Sequence, residues 1–308
     1  MLEHIFEPFD SFIRKNYKTN NYDSMLKAVK EYPRSETLGY ASEKLKNNRD
    51  FVLEAIACNP KMLEHTSASL RDDYGVVLAA VELNGETLKY ASERLRNDRN
   101  IVLAAIKNNF NAFQYASDEL KDNAEFVLEA VECNGFTFRF ASDRLKNDYE
   151  TVVAAMNIKS HTMKFASDKL KNDRDFVLEA AKFHPFILSN IPYSMKDDPE
   201  FIIECVKHTG SAFYYASERL KNDPDTVLNV VKYWSFPFQY ASNELKNNRE
   251  FVLEAVRISP YVYEYASEDL KNDREFALEA VKNDFLVFRY LPKTLQSDLE
   301  IVYWANKL

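Results

Sequence analysis

Hydrophobic and polar positions recur along this chain with a fixed period of 25 residues. The register is set by LGYASEKLKNNRDFVLEAIACNPKM, which starts at Leu38, and LKYASERLRNDRNIVLAAIKNNFNA, which starts at Leu88. Eleven copies run from residue 38 to residue 308 without an insertion or deletion, and the last one is truncated. A period held this strictly predicts a tandem repeat array. We number the positions of each copy 1 to 25 from its first apolar residue.

Two positions of the repeat predict its core. Position 8 is leucine in every copy except one, where it is Met195, so this slot always requires a long apolar side chain. Position 18 is alanine in most copies, for example Ala55 and Ala80. A small residue recurs where two helices approach closely, because a larger one would push the layers apart. We therefore expect both positions to be buried.

The segment DREFVLEAVK predicts the longer helix of each repeat. Its apolar residues occupy positions 14, 15, 16, 18 and 19, a face too broad for a helix that is covered on one side only. The start is indicated by Asp198-Pro199 and Asp223-Pro224 at positions 11 and 12, because aspartate caps a helix and proline fits its first turn. This helix should pack against neighbours on several sides.

The other half of the repeat, φxYASExLK, allows two interpretations. Positions 1, 4 and 8 share one helical face, and alanine and glutamate favour helix. Pro192 and Pro292 at position 5 mean that a regular helix can only begin there. The alternative takes φxY as a short strand of a leucine-rich-like horseshoe. ASExLK lacks the β-branched residues and the asparagine of such a repeat, so a short first helix is preferred.

These patterns predict an all-α fold, an α-solenoid of eleven 25-residue two-helix repeats with an N-terminal capping segment. Residues 38–308 form one continuous solenoid in this interpretation, since no linker interrupts them. Residues 1–37 form the cap and contain a half-repeat, DSMLKAVKEYP, which aligns with the longer helix after an offset of two residues. At the other end, YWANKL replaces an apolar helix tail and predicts a second, polar cap.

The phrase YASExLKNDREFVLEAVK resembles the repeat of a family known as domain of unknown function four-one-one-six. The resemblance covers nearly all of residues 38–308. It implies a helical array and brings no established activity. The seventh copy, LSNIPYSMKDDPEFIIECV, departs most from the phrase, with Asn190 and Pro192 in place of tyrosine and serine.

Candidate catalytic chemistry is sparse. A catalytic site breaks repeat symmetry, yet the five histidines form no HExxH motif and the three cysteines have no paired spacing suited to zinc. No P-loop, GxGxxG turn or nucleophile elbow occurs. Acidic and amide residues recur together at positions 10 and 11, which we interpret as helix caps. We expect no enzymatic activity, no metal and no cofactor.

Charge makes nucleic acid an unlikely partner, because a net charge of -8 repels phosphate. RNA binding is nevertheless the alternative function, carried by a basic line at position 9 and an aromatic ladder at position 3. Acids at positions 6 and 17 would neutralise the basic line. Aromatic residues recur in nearly every copy of the ladder, whereas a surface that recognises different bases should vary from copy to copy. We therefore favour packing between layers for the ladder.

The chain also lacks an apolar stretch long enough to cross a membrane and a recognisable N-terminal secretion signal. We therefore expect a cytoplasmic protein that does not bind membranes, with secretion by a signal-free route still open. The oligomeric state is not set by these patterns.

Variation concentrates at positions 2, 21, 22 and 24, near the junctions between repeats. In the second half of the chain these positions predict an aromatic band, and we define it by its eight members: Phe183, His184, Phe186, His208, Tyr233, Trp234, Phe236 and Tyr261. Packing between repeats is the preferred interpretation, and interface anchors are the other. The predicted function is a non-enzymatic scaffold that binds a protein or peptide. A small-molecule or enzymatic site at the irregular repeats near residues 188–237 is a further alternative.

Overall fold

The computed structural model describes residues 9–307. Within this range every regular element is helical and no β-strand occurs, so the horseshoe alternative is wrong. The chain divides into two compact units, Met1–Phe165 and Ala166–Leu308. Each unit is an all-α array of tandem repeats.

Each repeat contains three helical segments. A 3-10 segment crosses from position 23 of one copy to position 3 of the next, a one-turn short helix covers positions 6 to 9, and a long helix covers positions 12 to 21. The two predicted α-helices are therefore present, and the 3-10 segment is an addition. Positions 1 and 8 do not share a helix, because the chain is extended at positions 4 and 5, as at Ala91 and Ser92.

In the first unit, two N-terminal helices precede the repeats. The long elements are Phe9–Asn16, Tyr22–Glu31, Arg49–Cys58, Tyr74–Leu83, Arg99–Asn108, Ala124–Cys133 and Tyr149–Ile158. The 3-10 segments are Ser35–Tyr40, Pro60–His65, Gly85–Tyr90, Phe110–Tyr115, Gly135–Phe140 and Ser160–Phe165. The short elements are Glu43–Lys46, the 3-10 turn Leu70–Asp72, Glu93–Arg96, Asp118–Lys121 and Asp143–Lys146.

The second unit repeats the same order. Its long helices are Arg174–Phe183, Pro199–His208, Pro224–Val231, Arg249–Ile258, Arg274–Asn283 and Leu299–Lys307. Its 3-10 segments are Pro185–Asn190, Gly210–Tyr215, Phe236–Tyr240, Pro260–Tyr265 and Phe285–Tyr290. Its short helices are Asp168–Lys171, Tyr193–Lys196, Glu218–Lys221, Asn243–Lys246, Glu268–Asn272 and Lys293–Gln296.

The core confirms the predicted slots. Position 18 alanines such as Ala55 and Ala105 are completely buried, and position 8 leucines such as Leu95 are buried as well. Position 8 is only half-buried at Met195 and Leu295. These are the two repeats that carry proline at position 5, so the short helix packs less deeply where proline precedes it.

Position 11 caps the long helix, as predicted. The side chain of Asp73 accepts from the amide of Val76, and that of Asn123 accepts from the amide of Phe126, each at 2.9 Å. The capping interpretation is wrong for position 10. There the side-chain oxygen accepts a hydrogen bond from the next repeat. Asn97, for example, accepts from the hydroxyl of Ser117 at 2.5 Å.

The serine at position 5 joins neighbouring repeats through two hydrogen bonds. The amide of Ser117 donates to the carbonyl of Arg96 at 2.9 Å, and its hydroxyl donates to Asn97. The same oxygen caps its own short helix, accepting from the amide of Leu120 at 3.1 Å. Equivalent pairs link Ser67 to Asn47, Ser92 to Asp72, Ser142 to Asp122, Ser217 to Asp197, Ser242 to Asn222 and Ser267 to Asn247.

Proline at position 5 removes this link. It has neither the amide hydrogen nor the hydroxyl, so the position 10 side chain of the preceding repeat loses its donor. Asn172, which precedes the Pro192 repeat, donates instead to its own helix at the carbonyl of Asp168 at 2.6 Å. Asn272, which precedes Pro292, does the same with a bond of 2.8 Å. The repeat junction is thus rebuilt locally at both prolines.

The N-terminal half-repeat follows the predicted offset. Tyr22–Glu31 is a long helix that buries Met25, Ala28 and Val29. Its N-cap is Asn21, which accepts from the amide of Ser24. The amide of Ser42 reaches back to the carbonyl of Thr19 at 2.9 Å, in the place where other repeats use position 9.

Candidate functional site

The aromatic band lies where the long helices of the second unit end. Helices such as Arg174–Phe183 and Pro199–His208 stop at position 21, and the next 3-10 segment begins at position 23. Side chains at these junctions can project away from the core. Six members of the band are exposed: Phe183, Phe186, His208, Tyr233, Trp234 and Tyr261. Phe183 is 79% exposed, so packing between repeats does not explain it, whereas Phe186 and Tyr261 are half exposed and each contacts a ring of the next 3-10 segment.

Phe236 and His184 are half-buried. A Cβ atom added to Gly210 would lie 2.6 Å from the Phe236 ring, so this ring rests directly on the glycine of the preceding segment. Trp234 meets Phe236 edge-on, with ring centroids 6.3 Å apart. For Phe236 the packing interpretation is correct, and the ring supports the more exposed tryptophan.

The junction that presents Trp234 has its own backbone conformation. In most repeats position 22 is an extended residue such as Asn134, whose side chain accepts from the amide of Phe136 and caps the 3-10 segment. Trp234 has no side-chain acceptor. Here the long helix stops early, at Val231, and the amides of Tyr233 and Trp234 both donate to the carbonyl of Val230 at 3.1 Å.

Two exposed tyrosines of the second unit were not among the predicted residues. Tyr214 is 55% exposed and contacts Tyr215 and Tyr240 at centroid distances of 5.0 and 5.3 Å. Tyr193 is 66% exposed and occupies position 6, where most repeats have an acid. The replacement of a polar residue by tyrosine was a sequence signal for both residues.

A row of basic residues runs beside the aromatic band at position 20. We call it the cation row and define it as Lys182, Lys207, Lys232, Arg257 and Lys282. Two members are ion-paired within their helices, Lys182 with Glu179 and Lys207 with Glu204.

The other three members of the cation row have neutral partners. Lys232 donates to the side chain of Asn229 at 2.9 Å, and Arg257 donates to that of Asn283 at 3.2 Å. The ammonium of Lys282 lies 5.1 Å from the Trp304 ring centroid. Within the part of the chain that the structure describes, none of the three forms an ion pair.

The basic line at position 9 is neutralised, as predicted. Lys46 pairs with Glu43 at 3.0 Å, and equivalent pairs recur in most repeats. Lys196 and Lys246 instead donate to backbone carbonyls of the 3-10 segments, and burial lowers the pKa of both ammonium groups. This line therefore offers few free cations to a phosphate backbone.

The aromatic ladder at position 3 packs between layers. Its members are half-buried. Phe165 meets Phe136 of the preceding 3-10 segment with centroids 6.2 Å apart, and Tyr290 meets Tyr261 of the preceding 3-10 segment at 4.7 Å. Burial and the neighbouring Tyr261 raise the pKa of Tyr290 to about 12. The packing interpretation of this ladder is confirmed.

Other candidate chemistry is limited. A cavity of about 490 Å³ in the first unit is lined by charged and polar groups of two successive repeats, including Arg96, Gln114, Tyr115 and Lys121. No group of three or more histidine, cysteine or acidic side chains within residues 9–307 could hold a metal ion. Cys205 is buried, and burial raises the pKa of its thiol to about 12, which keeps it protonated and unreactive. None of the helices in residues 9–307 combines the length and apolar character needed to span a membrane.

A known family model matches the repeats of this chain. The family model described as domain of unknown function (DUF4116) matches residues 21–71, 73–121, 123–165, 152–196, 198–246, 224–271, 248–296 and 273–308. The chain belongs to this family. The matched segments are the repeats described above. Their helix caps and their hydrogen bonds across junctions are therefore the geometry of DUF4116 repeats in this chain. The chain has no significant similarity to a curated protein or to a solved structure.

Proposed function

We propose that this DUF4116 array is a non-enzymatic scaffold that binds a protein or peptide through the aromatic band. The observation that carries the proposal is the exposure of the band. Phe183, Phe186, Tyr233, Trp234 and Tyr261 are each between 43% and 79% exposed, although large aromatic side chains gain most from burial.

The repeat does not need these aromatics. Its core includes positions 1, 4, 8, 14, 15, 18, 19 and 25, and its caps are polar. At position 21 the first unit contains Asn108 and the exposed Cys133, so the long helix ends well without an aromatic residue. Exposed aromatics that the fold does not require are typical of partner-binding surfaces.

The test compares two variants in affinity capture from the native cell. The first is the triple variant Tyr233→Ala, Trp234→Ala and Tyr261→Ala, which leaves the half-buried Phe236 in place. The matched control replaces exposed apolar residues of the first unit, Tyr74→Ala and Leu83→Ala.

We expect both variants to retain the wild-type helical signal in circular dichroism. Only the triple variant should lose the captured partner, by about tenfold or more in the amount bound, because it removes three anchors. Equal capture by the triple variant and the wild type would show that the band is not the binding surface.

A further inference from the structure

We propose that the partner of the aromatic band is an extended, acidic peptide segment whose carboxylates meet the cation row. The inference rests on the proposed function and specifies its ligand. Its basis is the combination, on the same helix ends, of exposed aromatics with cations that lack a counter-charge.

The cation row distinguishes the second unit from the first. In the first unit position 20 is Ala57, Glu82, Lys107, Glu132 and Asn157. In the second unit six successive repeats carry lysine or arginine there, namely the five members of the cation row and Lys307. A cation in the last helical turn complements the helix dipole, but the first unit builds the same helices without it in four of its five repeats. Helix stability alone therefore does not require the row.

Three adjacent members of the row remain available for an anion. Lys232, Arg257 and Lys282 contact an asparagine, another asparagine and an aromatic ring. Some of the acids closest in sequence to the row are already bound by other cations and so do not pair with it. Glu279, one turn before Lys282, is bound by Arg249 at 3.0 Å. The Arg257 helix itself carries two acids, Glu250 and Glu254, and both are exposed.

Members of the aromatic band follow two of these three cations along the chain. Tyr233 and Trp234 directly follow Lys232, and Tyr261 lies in the 3-10 segment that follows the Arg257 helix. A carboxylate held by the row would therefore place its neighbouring side chains against the aromatic rings. The surface fits a chain that alternates acidic and apolar residues.

The repeat sets the spacing of the acids. Adjacent long helices pack side by side, and packed helices lie about 8 to 10 Å apart. An extended chain rises about 3.3 Å per residue, so an acid at every third residue advances by about 10 Å, one layer of the array. A polyproline II chain also has about three residues per turn, which puts such acids on one side.

The distribution of unpaired cations favours a peptide over single-stranded nucleic acid. The position 9 cations that could follow a phosphate backbone are mostly paired with acids. Three unpaired cations beside aromatic rings match a few carboxylates better than a continuous line of phosphates.

The test selects ligands from a phage-displayed library of random peptides of about 12 residues, the length that spans five layers when extended. Selected peptides are then titrated against three forms of the full chain. These are the wild type, the variant Lys232→Glu, Arg257→Glu and Lys282→Glu, and a control with the same charge change, Lys61→Glu, Lys107→Glu and Lys169→Glu. The three control lysines are exposed and make no ion pair within the described residues.

We expect selected peptides to be rich in aspartate and glutamate at three-residue spacing. Their dissociation constants should rise by about tenfold or more for the row variant and by less than about threefold for the control, because the lost interactions are local. Circular dichroism of both variants should match the wild type.

Three results would overturn the inference. Peptides without acidic enrichment, or peptides that bind the row variant as well as the wild type, would remove the acidic ligand while leaving the aromatic band as the binding surface. Tighter binding of a fluorescein-labelled oligouridine than of any selected peptide would favour RNA. A selection that yields no peptide above background would remove the peptide ligand, and the capture experiment would then decide the proposed function separately.

Discussion

The hydroxyl of Ser117 donates to the side-chain oxygen of Asn97 across a repeat junction at 2.5 Å. The same hydroxyl oxygen accepts from the amide of Leu120 and starts the short helix. One side chain therefore links the helix cap to the junction, so the local structure of a repeat and its attachment to its neighbour depend on each other.

Ser117→Ala removes both interactions at once. We expect a loss of about 1 to 2 kcal/mol in the free energy of unfolding, since a helix cap and a hydrogen bond are each worth about 1 kcal/mol. Urea denaturation followed by circular dichroism measures the change. Ser259→Ala is the matched control, because Ser259 makes no side-chain cap bond, and it should shift the midpoint little. Equal shifts would contradict a special role for position 5.

Gly85→Ala should destabilise the first unit strongly. A Cβ at Gly85 would lie 2.3 Å from the carbonyl oxygen of Ala105 on the next long helix, and backbone cannot move away as a side chain can. No glycine in residues 9–307 has a positive φ, so close approach is the reason for glycine here. We expect a loss of about 2 to 3 kcal/mol, which is typical of overpacking, in urea denaturation.

Gly39→Ala is the control for that substitution. The added Cβ would lie 3.4 Å from the imidazole of His65, which is ordinary contact with a side chain that can adjust. Its effect should stay within about 0.5 kcal/mol of the wild type, as for most substitutions that create no clash. A Gly39→Ala variant as unstable as Gly85→Ala would show that the close approach is not the cause.

Acid should weaken the junctions that contain aspartate at position 10. The serine hydroxyl of the next repeat, and then an arginine, lower the pKa of Asp72, Asp122 and Asp197 below the ordinary value of 3.8. A carboxyl whose folded pKa is depressed stabilises the protein fully above its unfolded pKa. That contribution is lost as the pH falls below about 3.8 through the folded values.

Asparagine at the same three positions tests the pH dependence. Asn47, Asn97 and Asn222 accept the serine hydroxyl in other repeats, so the triple Asp→Asn variant retains an acceptor. We expect its melting temperature to fall less than that of the wild type between pH 5 and pH 3, a range set by the unperturbed carboxyl pKa. A parallel fall in both proteins would assign the acid sensitivity to other groups.

Positions 7 and 10 form matched pairs across junctions. Arg94 donates to Asp72 at 3.0 Å, whereas Glu119 accepts from Asn97 at 2.9 Å. Arg94→Glu would place two carboxylates together and should lower the free energy of unfolding slightly, because the site is exposed and screened by solvent.

Adding Asp72→Asn to that variant recreates the natural glutamate–asparagine pair. It should recover most of the loss, so a double-mutant cycle in urea denaturation should show that the two substitutions are coupled, with the double variant more stable than the sum of the single effects predicts. Additive effects would mean that the two side chains do not interact in solution.

Sequence periodicity predicts much of this fold because repetition averages out local exceptions. The buried leucine at position 8, the small residue at position 18 and the cap at position 11 each recur often enough to show their role. The 3-10 segment was missed because it crosses the boundary between copies and its apolar residues were assigned to the short helix.

The candidate site was harder to predict because exposure is not periodic. Phe183 and Phe236 are both aromatic junction residues, yet one projects into solvent and the other rests on Gly210. The sequence contains Gly210 but does not show that the next repeat places a ring against it. The role of position 10 was also missed, since its partner lies 20 residues further along the chain.

The pairing of positions 7 and 10 has a consequence for how such an array can grow by gene duplication. If the repeat that starts at Leu88 were duplicated, Arg94 of the second copy would meet Asn97 of the first at the new boundary rather than Asp72. Duplicating that repeat alone would create a mismatched pair that later substitutions must repair, whereas Glu244 would meet its own Asn247 and keep the natural glutamate–asparagine pair. Repeats with arginine at position 7 and asparagine at position 10 should therefore be copied more readily within a larger block, with compatible ends, than singly.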